Sequence, residues 1–276
     1  MSSIALPFQL TKTLACALSE LQAVGKVDPT YLLNSSINHK YNNQGSVLPS
    51  QPPRIAFFGI GVKGYRNLDD DNLSAPYIPP AKNLDLYSPI PIRIVPVEND
   101  LSASEREMYR MRVLKTVDGR DYWAYYLKKL TIVDNRVRII QTDLTSGEET
   151  DLEGFNPDDL TPIPTTTSAE GTVESTTKVS VALSANVQIT GAEVLEYVNV
   201  MQGGNLLRAN VSEIGIYTGN DQTVAMSDGL GGTFNGTESI YTQLAYHYCS
   251  LGSNFASPSK IENILIRLSS ASAFLL

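Results

Sequence analysis

Between Glu107 and Leu144 the chain reads EMYRMRVLKTVDGRDYWAYYLKKLTIVDNRVRIIQTDL. Three strand-forming blocks run through it, separated only by turn dipeptides. Asp118-Gly119 favours the positive φ angles of a tight hairpin, and Asp134-Asn135 marks a second turn before RVRIIQT. Such a segment commits the chain to antiparallel sheet, here a predicted three-stranded meander. In the middle block Tyr122, Ala124 and Tyr126 alternate with Trp123, Tyr125 and Leu127, so aromatic side chains project from both faces. That sheet needs cover on both sides, from its own core and, in an oligomer, from another chain.

The flanking sequence extends the same pattern. RIAFFGIGV (Arg54–Val62) reads as a buried strand, and IRIVPVE (92–98) as a strand with Pro96 at an edge or bulge. Beyond residue 175, STTKVSVALSANVQI, NLLRANVSEIGIYTG, SIYTQLAYHYCSL and KIENILIRLSS read as strands. AEVLEYVNVMQGG fits either a strand or a short helix ended by Gly203. Leu6, Leu10, Leu14, Leu18 and Leu21, with Ala17, share one face of a predicted N-terminal helix that stops at Gly25. Residues 34–53 and the proline-rich stretch 64–91 read as loops, the second long enough to serve as a contact surface. The expected fold class is mainly β, a β-rich α+β chain with two β-sheet or sandwich domains and a short N-terminal helix.

Charge divides the chain. Residues 1–141 carry 17 Lys+Arg against 13 Asp+Glu; residues 142–276 carry 4 against 16, and the whole has net charge −8. The stretch from Asp143 to Glu174 contains no Lys or Arg and is rich in Thr, Ser, Pro and acidic residues. It reads as a linker, 143–174, between an N-terminal domain, 1–142, and a C-terminal domain, 175–276. An acidic linker serves solubility. A basic half and an acidic half also suit head-to-tail contact between copies, which closes into a ring. The overall acidity speaks against sequence-independent nucleic-acid binding. No stretch reaches the ~20 apolar residues of a membrane span, and MSSIALPFQL lacks the pattern of a signal peptide. Neither nucleic acid nor membrane is an expected partner.

Motifs for chemistry are sparse. Gly59-Ile60-Gly61-Val62-Lys63-Gly64 is a literal G-x-G-x-x-G after a strand, but no helix or βαβ unit follows it. The glycines read instead as a strand end with close backbone approach. Asp69-Asp70-Asp71-Asn72 lacks the rest of an EF-hand loop and reads as a solvated acidic loop. His247 and Cys249, two apart on an aromatic strand, read as packed residues. The chain has two histidines and two cysteines in all, a poor supply for zinc or for a cysteine nucleophile. Glu193/Glu196 are too ordinary a carboxylate pair to signal glycoside hydrolysis. The sequons at Asn34, Asn210 and Asn235 carry little meaning without a secretory signal. No enzymatic activity, catalytic residue, cofactor or metal is expected.

Arg106, Arg110 and Arg112 interleave with Tyr109 and Met111. Arginine, tyrosine and methionine are enriched at protein interfaces. The candidate interface comprises Arg106, Tyr109, Arg110, Arg112, Trp123, Tyr125 and the apolar tail residues Phe274, Leu275 and Leu276, whose exposure would invite aggregation. Alternatively Trp123 and the tyrosines stack on sugars, as in a carbohydrate- or receptor-binding adhesin or a tail-fibre attachment module.

Val211-Ser212-Glu213-Ile214-Gly215-Ile216-Tyr217 resembles the SE-x-G-[ILV]-[FY] strands of tail, collar and baseplate proteins of tailed bacteriophages. The segment IPIRIVPVENDLSASEREMYRMRVL, followed by DGRDYWAYYLKKL, is similar to virion structural proteins of large tailed phages. The resemblance implies a virion location in tail, baseplate or neck. It also implies assembly with itself into a symmetric ring and with other virion proteins, and no catalysis.

Overall fold

The computed structural model describes residues 9–25, 53–68, 73–76, 82, 85–132, 138–143, 145–151 and 177–271. The fold is mainly β, as the alternation predicts. Its strands are β1 (Gln9–Lys12), β2 (Arg54–Gly61), β3 (Tyr65–Leu68), β4 (Leu73–Pro76), β5 (Pro89–Ile90), β6 (Arg93–Pro96), β7 (Tyr109–Val117), β8 (Arg120–Lys129), β9 (Thr131–Ile132), β10 (Arg138–Asp143), β11 (Glu149–Asp151), β12 (Thr177–Thr190), β13 (Asn210–Ser227), β14 (Thr233–Asn254) and β15 (Ile261–Ala271). Helices are α1 (Leu14–Gly25), α2 (Ala103–Arg106) and α3 (Gly191–Met201).

The chain divides into two compact units, one of residues 1–130 and 188–262, the other of 131–187 and 263–276. These are not the N- and C-terminal halves expected from composition. In the first unit β2 pairs antiparallel with β13, from Gly61↔Glu213 to Arg54↔Gly219. Phe57, Phe58 and Ile60 are buried, so both faces of β2 are covered and it needs neighbours on both edges. The next strands in sequence, β3 and β4, pair with each other, so a neighbour comes from the far end of the chain. The sheet order is β1-β14-β13-β2-β8-β6, with β7 on β8 and β5 on β2. One core cluster gathers Phe57, Leu86, Ile94, Met111, Leu127, Tyr217 and Leu244 from both chain halves.

The Asp118-Gly119 hairpin forms as predicted, with φ of 50° and 76° at the two turn residues. The third strand of the predicted meander does not join it. β8 already carries β7 on one edge and β2 and β6 on the other, so β10 pairs with β11 and β12 instead. Both faces of β8 are buried within the chain, from Trp123 through Leu127. The N-terminal helix starts later than its leucine stripe suggests: Leu10 lies in β1, which pairs with β14, and Leu6 lies outside the described residues. α3 resolves the strand-or-helix ambiguity. Thr190 accepts from the Glu193 N–H, and the Glu193 carboxylate accepts from the Thr190 N–H, a reciprocal cap that fixes the helix start.

In the second unit the strand order is β11-β10-β12-β15, with β9 on β12. Ile140, Ala182, Ala185, Val187, Ile266 and Leu268 are buried. Arg267 on β15 pairs with Glu149 on β11, at opposite ends of that order. The expected linker begins inside this unit: Asp143 to Glu148 is the β10–β11 turn, where the Asp143 carboxylate accepts from the N–H groups of Thr145 and Ser146. Residues 152–176 lie outside the described residues.

The first sheet bends on itself. Three register shifts interrupt the β13–β14 ladder, and bulges of this kind bend the strands that carry them. The bend brings β14 near β7, and a side chain takes the place of a ladder there. Met111 has φ 57°, and its N–H and that of Arg112 donate to the two carboxylate oxygens of Glu238, at 2.9 and 3.3 Å. The Ser239 N–H donates to the same group at 2.8 Å. Replacing Glu238 by Ala strands three buried N–H groups, so Glu238→Ala should lower unfolding stability by roughly 2–5 kcal/mol. Glu238→Gln, which keeps one acceptor, should cost less. Urea titration followed by tryptophan fluorescence measures both, and an unchanged midpoint in the alanine variant would contradict this role.

Candidate functional site

Two groups of polar side chains in the first unit could carry chemistry. One surrounds Glu213, which is fully buried in β13. Its carboxylate accepts from the backbone N–H groups of Tyr87 (2.7 Å), Lys63 (3.0 Å) and Ser88 (3.2 Å), and lies 3.0 Å from His247 Nε2. Cys249 Sγ is 3.4 Å from the same His247 nitrogen. Cysteine, histidine and glutamate thus meet, as in a nucleophilic triad, and sequence reasoning paired only the first two.

The arrangement differs from that of a catalytic relay. In a working triad, nucleophile and acid occupy different nitrogens of the imidazole. Here both approach Nε2. Burial, and after it the Glu213 carboxylate, push the Cys249 thiol up to about 12, so it stays protonated at neutral pH. All three side chains are fully buried.

Two of the G-x-G-x-x-G glycines, Gly61 and Gly64, make room for this cluster, while Gly59 lies against Tyr217 and Leu127. A Cβ on Gly61 would meet Ser88 O at 2.9 Å and Glu213 Oε1 at 3.1 Å. A Cβ on Gly64 would meet Cys249 Sγ at 2.7 Å and Glu213 Cγ at 2.8 Å, and Gly64 has φ 98°. The close approach expected of these glycines is real, and at Gly61 and Gly64 the Glu213 side chain is among what they approach. The neighbours of Glu213 complete the clasp. Ser212 Oγ donates to Lys63 O at 2.7 Å, and Tyr217 Oη donates to Asp85 at 2.9 Å. A Cβ on Gly215 would meet Leu244 and Tyr217 at 2.7 Å.

The second group is the arginine–aromatic cluster. Arg110, Arg112, Tyr109, Trp123 and Tyr125 are buried within the chain, which corrects their assignment to an interface between chains. Arg110 makes two 2.9 Å hydrogen bonds to the Asp221 carboxylate. Burial raises the Asp221 pKa, but hydrogen bonds from Arg110 and Ser239 outweigh it and hold the group below the ordinary carboxylate value. Arg112 donates to Asp100 at 2.7 and 3.2 Å and to Ser227 O at 2.7 Å, and its guanidinium lies 3.3 Å from the centre of the Trp123 ring. Trp123 Nε1 donates to Asp228 O at 3.3 Å, so the ring is spent inside the fold rather than offered to a sugar. Tyr125 Oη donates to Asp100 at 2.6 Å, and burial first, then Asp100, raise its pKa. Tyr109 Oη donates to Glu193 at 2.8 Å, and Lys128 Nζ binds the same carboxylate at 2.7 Å. Arg106 alone of the three arginines is partly exposed, at 23%. Phe274, Leu275 and Leu276 lie outside the described residues, as do Asp69, Asp70, Asp71 and Asn72.

Arg106, Tyr109, Arg112 and Tyr125 border a cavity of about 200 Å³, closed from the other side by Met226 and by residues 235–238 of β14. Sequence reasoning found its arginines and tyrosines but missed the β14 wall. Among the described residues no group of three or more His, Cys, Asp or Glu is placed to hold a metal, and no helix is long and apolar enough to cross a membrane.

The model of a family of unknown function, DUF7208, matches residues 4–264. The chain belongs to this family. No curated protein and no solved structure matches it. In this DUF7208 chain the matched span contains both polar groups.

Two outcomes follow for the Glu213 clasp. Cys249 should not react with Ellman's reagent in the native protein at pH 8. Because its pKa is raised, its reactivity should stay low as pH climbs from 7 to 10, whereas a thiol near 8.5 accelerates across that range. Full reaction should appear only in denaturant, and rapid native labelling of Cys249, located by peptide mapping, would contradict the burial. Gly64→Ala imposes a left-handed backbone on alanine and a clash with Cys249 Sγ, and should destabilise by about 1–3 kcal/mol in thermal or urea unfolding.

Proposed function

We propose that this chain is a non-catalytic structural subunit of a tailed-phage particle, in the tail, baseplate or neck, assembling with copies of itself and with other virion proteins. The observation that carries the reading is the fate of Val211–Tyr217, the segment that resembles phage tail and baseplate strands. Each of its distinctive residues serves the architecture: Ser212 and Glu213 clasp the Lys63 backbone, Gly215 admits Leu244 and Tyr217, and Tyr217 ties down Asp85. The Cys249–His247–Glu213 group, which resembles a nucleophilic site, is fully buried and holds backbone together.

Assembly falls to surfaces other than the arginine cluster. Beyond α3, Leu206 and Leu207 stand exposed side by side, Leu207 at 87%. Leu230 is exposed at the β13–β14 hairpin tip. An exposed pair such as Leu206 and Leu207 suits contact between subunits. Glu193, Glu196 and Asp221 already meet cations within the chain, and the exposed leucines are apolar, so assembly through those leucines should depend weakly on salt.

Size-exclusion chromatography with light scattering should give a defined oligomer of the 30.1 kDa chain that persists in high salt, and Leu207→Asp should weaken it. Mass spectrometry of purified phage particles should find the protein at stoichiometric level. A monomer at tens of micromolar that is also absent from particles would overturn the proposal.

A further inference from the structure

We propose that the cavity between α2, the start of β7 and the outer part of the β13–β14 hairpin binds a neutral polyhydroxylated ligand of single-sugar size. Its inner wall is rigid because the polar groups there are committed. Arg112 is held by Asp100 and Ser227 O, Tyr125 by Asp100, and Tyr109 by Glu193, while Glu238 accepts three backbone N–H groups. A wall fixed this way costs little ordering when a ligand arrives.

The rim differs. Glu107, Asn235 and Thr237 border the cavity, are exposed, and make no side-chain hydrogen bond among the described residues. Arg106 uses only Nη1, donating to Leu101 O at 2.5 Å and Asp100 at 3.4 Å, while Phe234 packs against its guanidinium at 4.4 Å. The rest of that fork has no partner among the described residues. Four side chains, two from the end of α2 and the residue after it and two from β14, therefore present guanidinium N–H, amide, hydroxyl and carboxylate around one opening. Donors and acceptors interleave there.

Charge selects the ligand class. The Arg112 cation is matched by Asp100, Arg106 shares that carboxylate, and Glu107 and Glu238 add negative charge. An anion would face Glu107 without an uncommitted positive surplus, and a cation would face two guanidinium groups. An apolar ligand would desolvate four polar side chains and satisfy none. Hydroxyl groups both donate and accept, so a polyol matches every rim group. Ala103, Met226 and the tyrosine rings supply apolar lining for the C–H face of a pyranose. The site differs from the sugar platform imagined around Trp123, and it does not depend on the assembly role proposed above.

The test uses the full chain and four probes: D-glucose, D-galactose, D-mannose and N-acetylglucosamine. Saturation-transfer NMR and calorimetry should detect at least one of them with a Kd in the millimolar range, as befits so small a ligand. Thr237→Trp, which fills the opening, should abolish the transfer. Asn235→Ala, at an exposed position, should weaken it about tenfold or more while the circular dichroism and melting temperature hold. Absence of transfer from all four sugars, or undiminished binding by a folded Thr237→Trp variant, overturns the proposal. Inorganic phosphate binding there in preference to every sugar also overturns it. Loss of sugar binding alone would leave oligomer formation and presence in particles untouched, so the two proposals fail separately.

Discussion

The first unit depends on carboxylates of residues 193–238, buried at Glu193, Glu213 and Glu238 and part-buried at Glu196, that cap the backbone and cations of residues 63–129. Glu213 closes Lys63, Tyr87 and Ser88 onto β13, and Glu238 closes β7 onto β14. Glu193 holds Lys128 and Tyr109, and Glu196 holds the Arg93 guanidinium and the Ile94 N–H. A hydrogen bond to a charged group contributes about 1.5–3 kcal/mol, roughly twice that of a neutral one. Burying a carboxylate is tolerable only when several donors converge on it, and each of these carboxylates has them. Where two strands cannot share a ladder, one glutamate supplies two acceptor oxygens to consecutive N–H groups.

Seen this way, the uneven charge of the chain acquires a local cause. The N-terminal cations and C-terminal acids form pairs inside one molecule: Arg93–Glu196, Arg110–Asp221, Lys128–Glu193 and Lys129–Asp221. Charge complementarity between segments is therefore used, at these three carboxylates, inside one fold. The same consumption explains why the arginine–aromatic cluster is not an interface. Arginine beside tyrosine and methionine has the composition of a contact surface, and a buried seam within a chain uses that composition for the same physical reasons.

What the sequence made legible was local. Asp118-Gly119 specifies its hairpin because positive φ at two adjacent residues is a short-range demand that few dipeptides meet. The start of α3 was also readable in principle, since Thr190 and Glu193 stand at the spacing of a reciprocal cap. The fate of β10 was not readable, because the free edge it needed was occupied by β2 and β6 from elsewhere in the chain. Glu213 escaped for a related reason. Gly61 and Gly64 announce that something approaches the backbone closely, and a phosphate and a carboxylate ask the same of a glycine. Only the tertiary pairing of β2 with β13 says which it is. An acidic residue in the middle of the otherwise apolar VSEIGIY strand was the one available hint, since charge is rarely placed there without donors waiting.

The pairing of β2 with β13 also constrains how the chain reaches this fold. Gly61 meets Glu213, and Arg54 meets Gly219, across more than 150 residues of intervening sequence. Residues 131–187 belong, with 263–276, to the second unit, so that span supplies no strand to the first sheet. Loop-closure entropy grows slowly with length but is lost before the contacts that offset it form, and topologies rich in distant pairings fold slowly. The clasp chemistry fits that order of events. An unpaired buried glutamate is costly, so a collapsed chain with β13 out of register places Glu213 without its three N–H donors and is disfavoured against the native register. The carboxylates that hold the sheet together thereby also discriminate among the ways it could form.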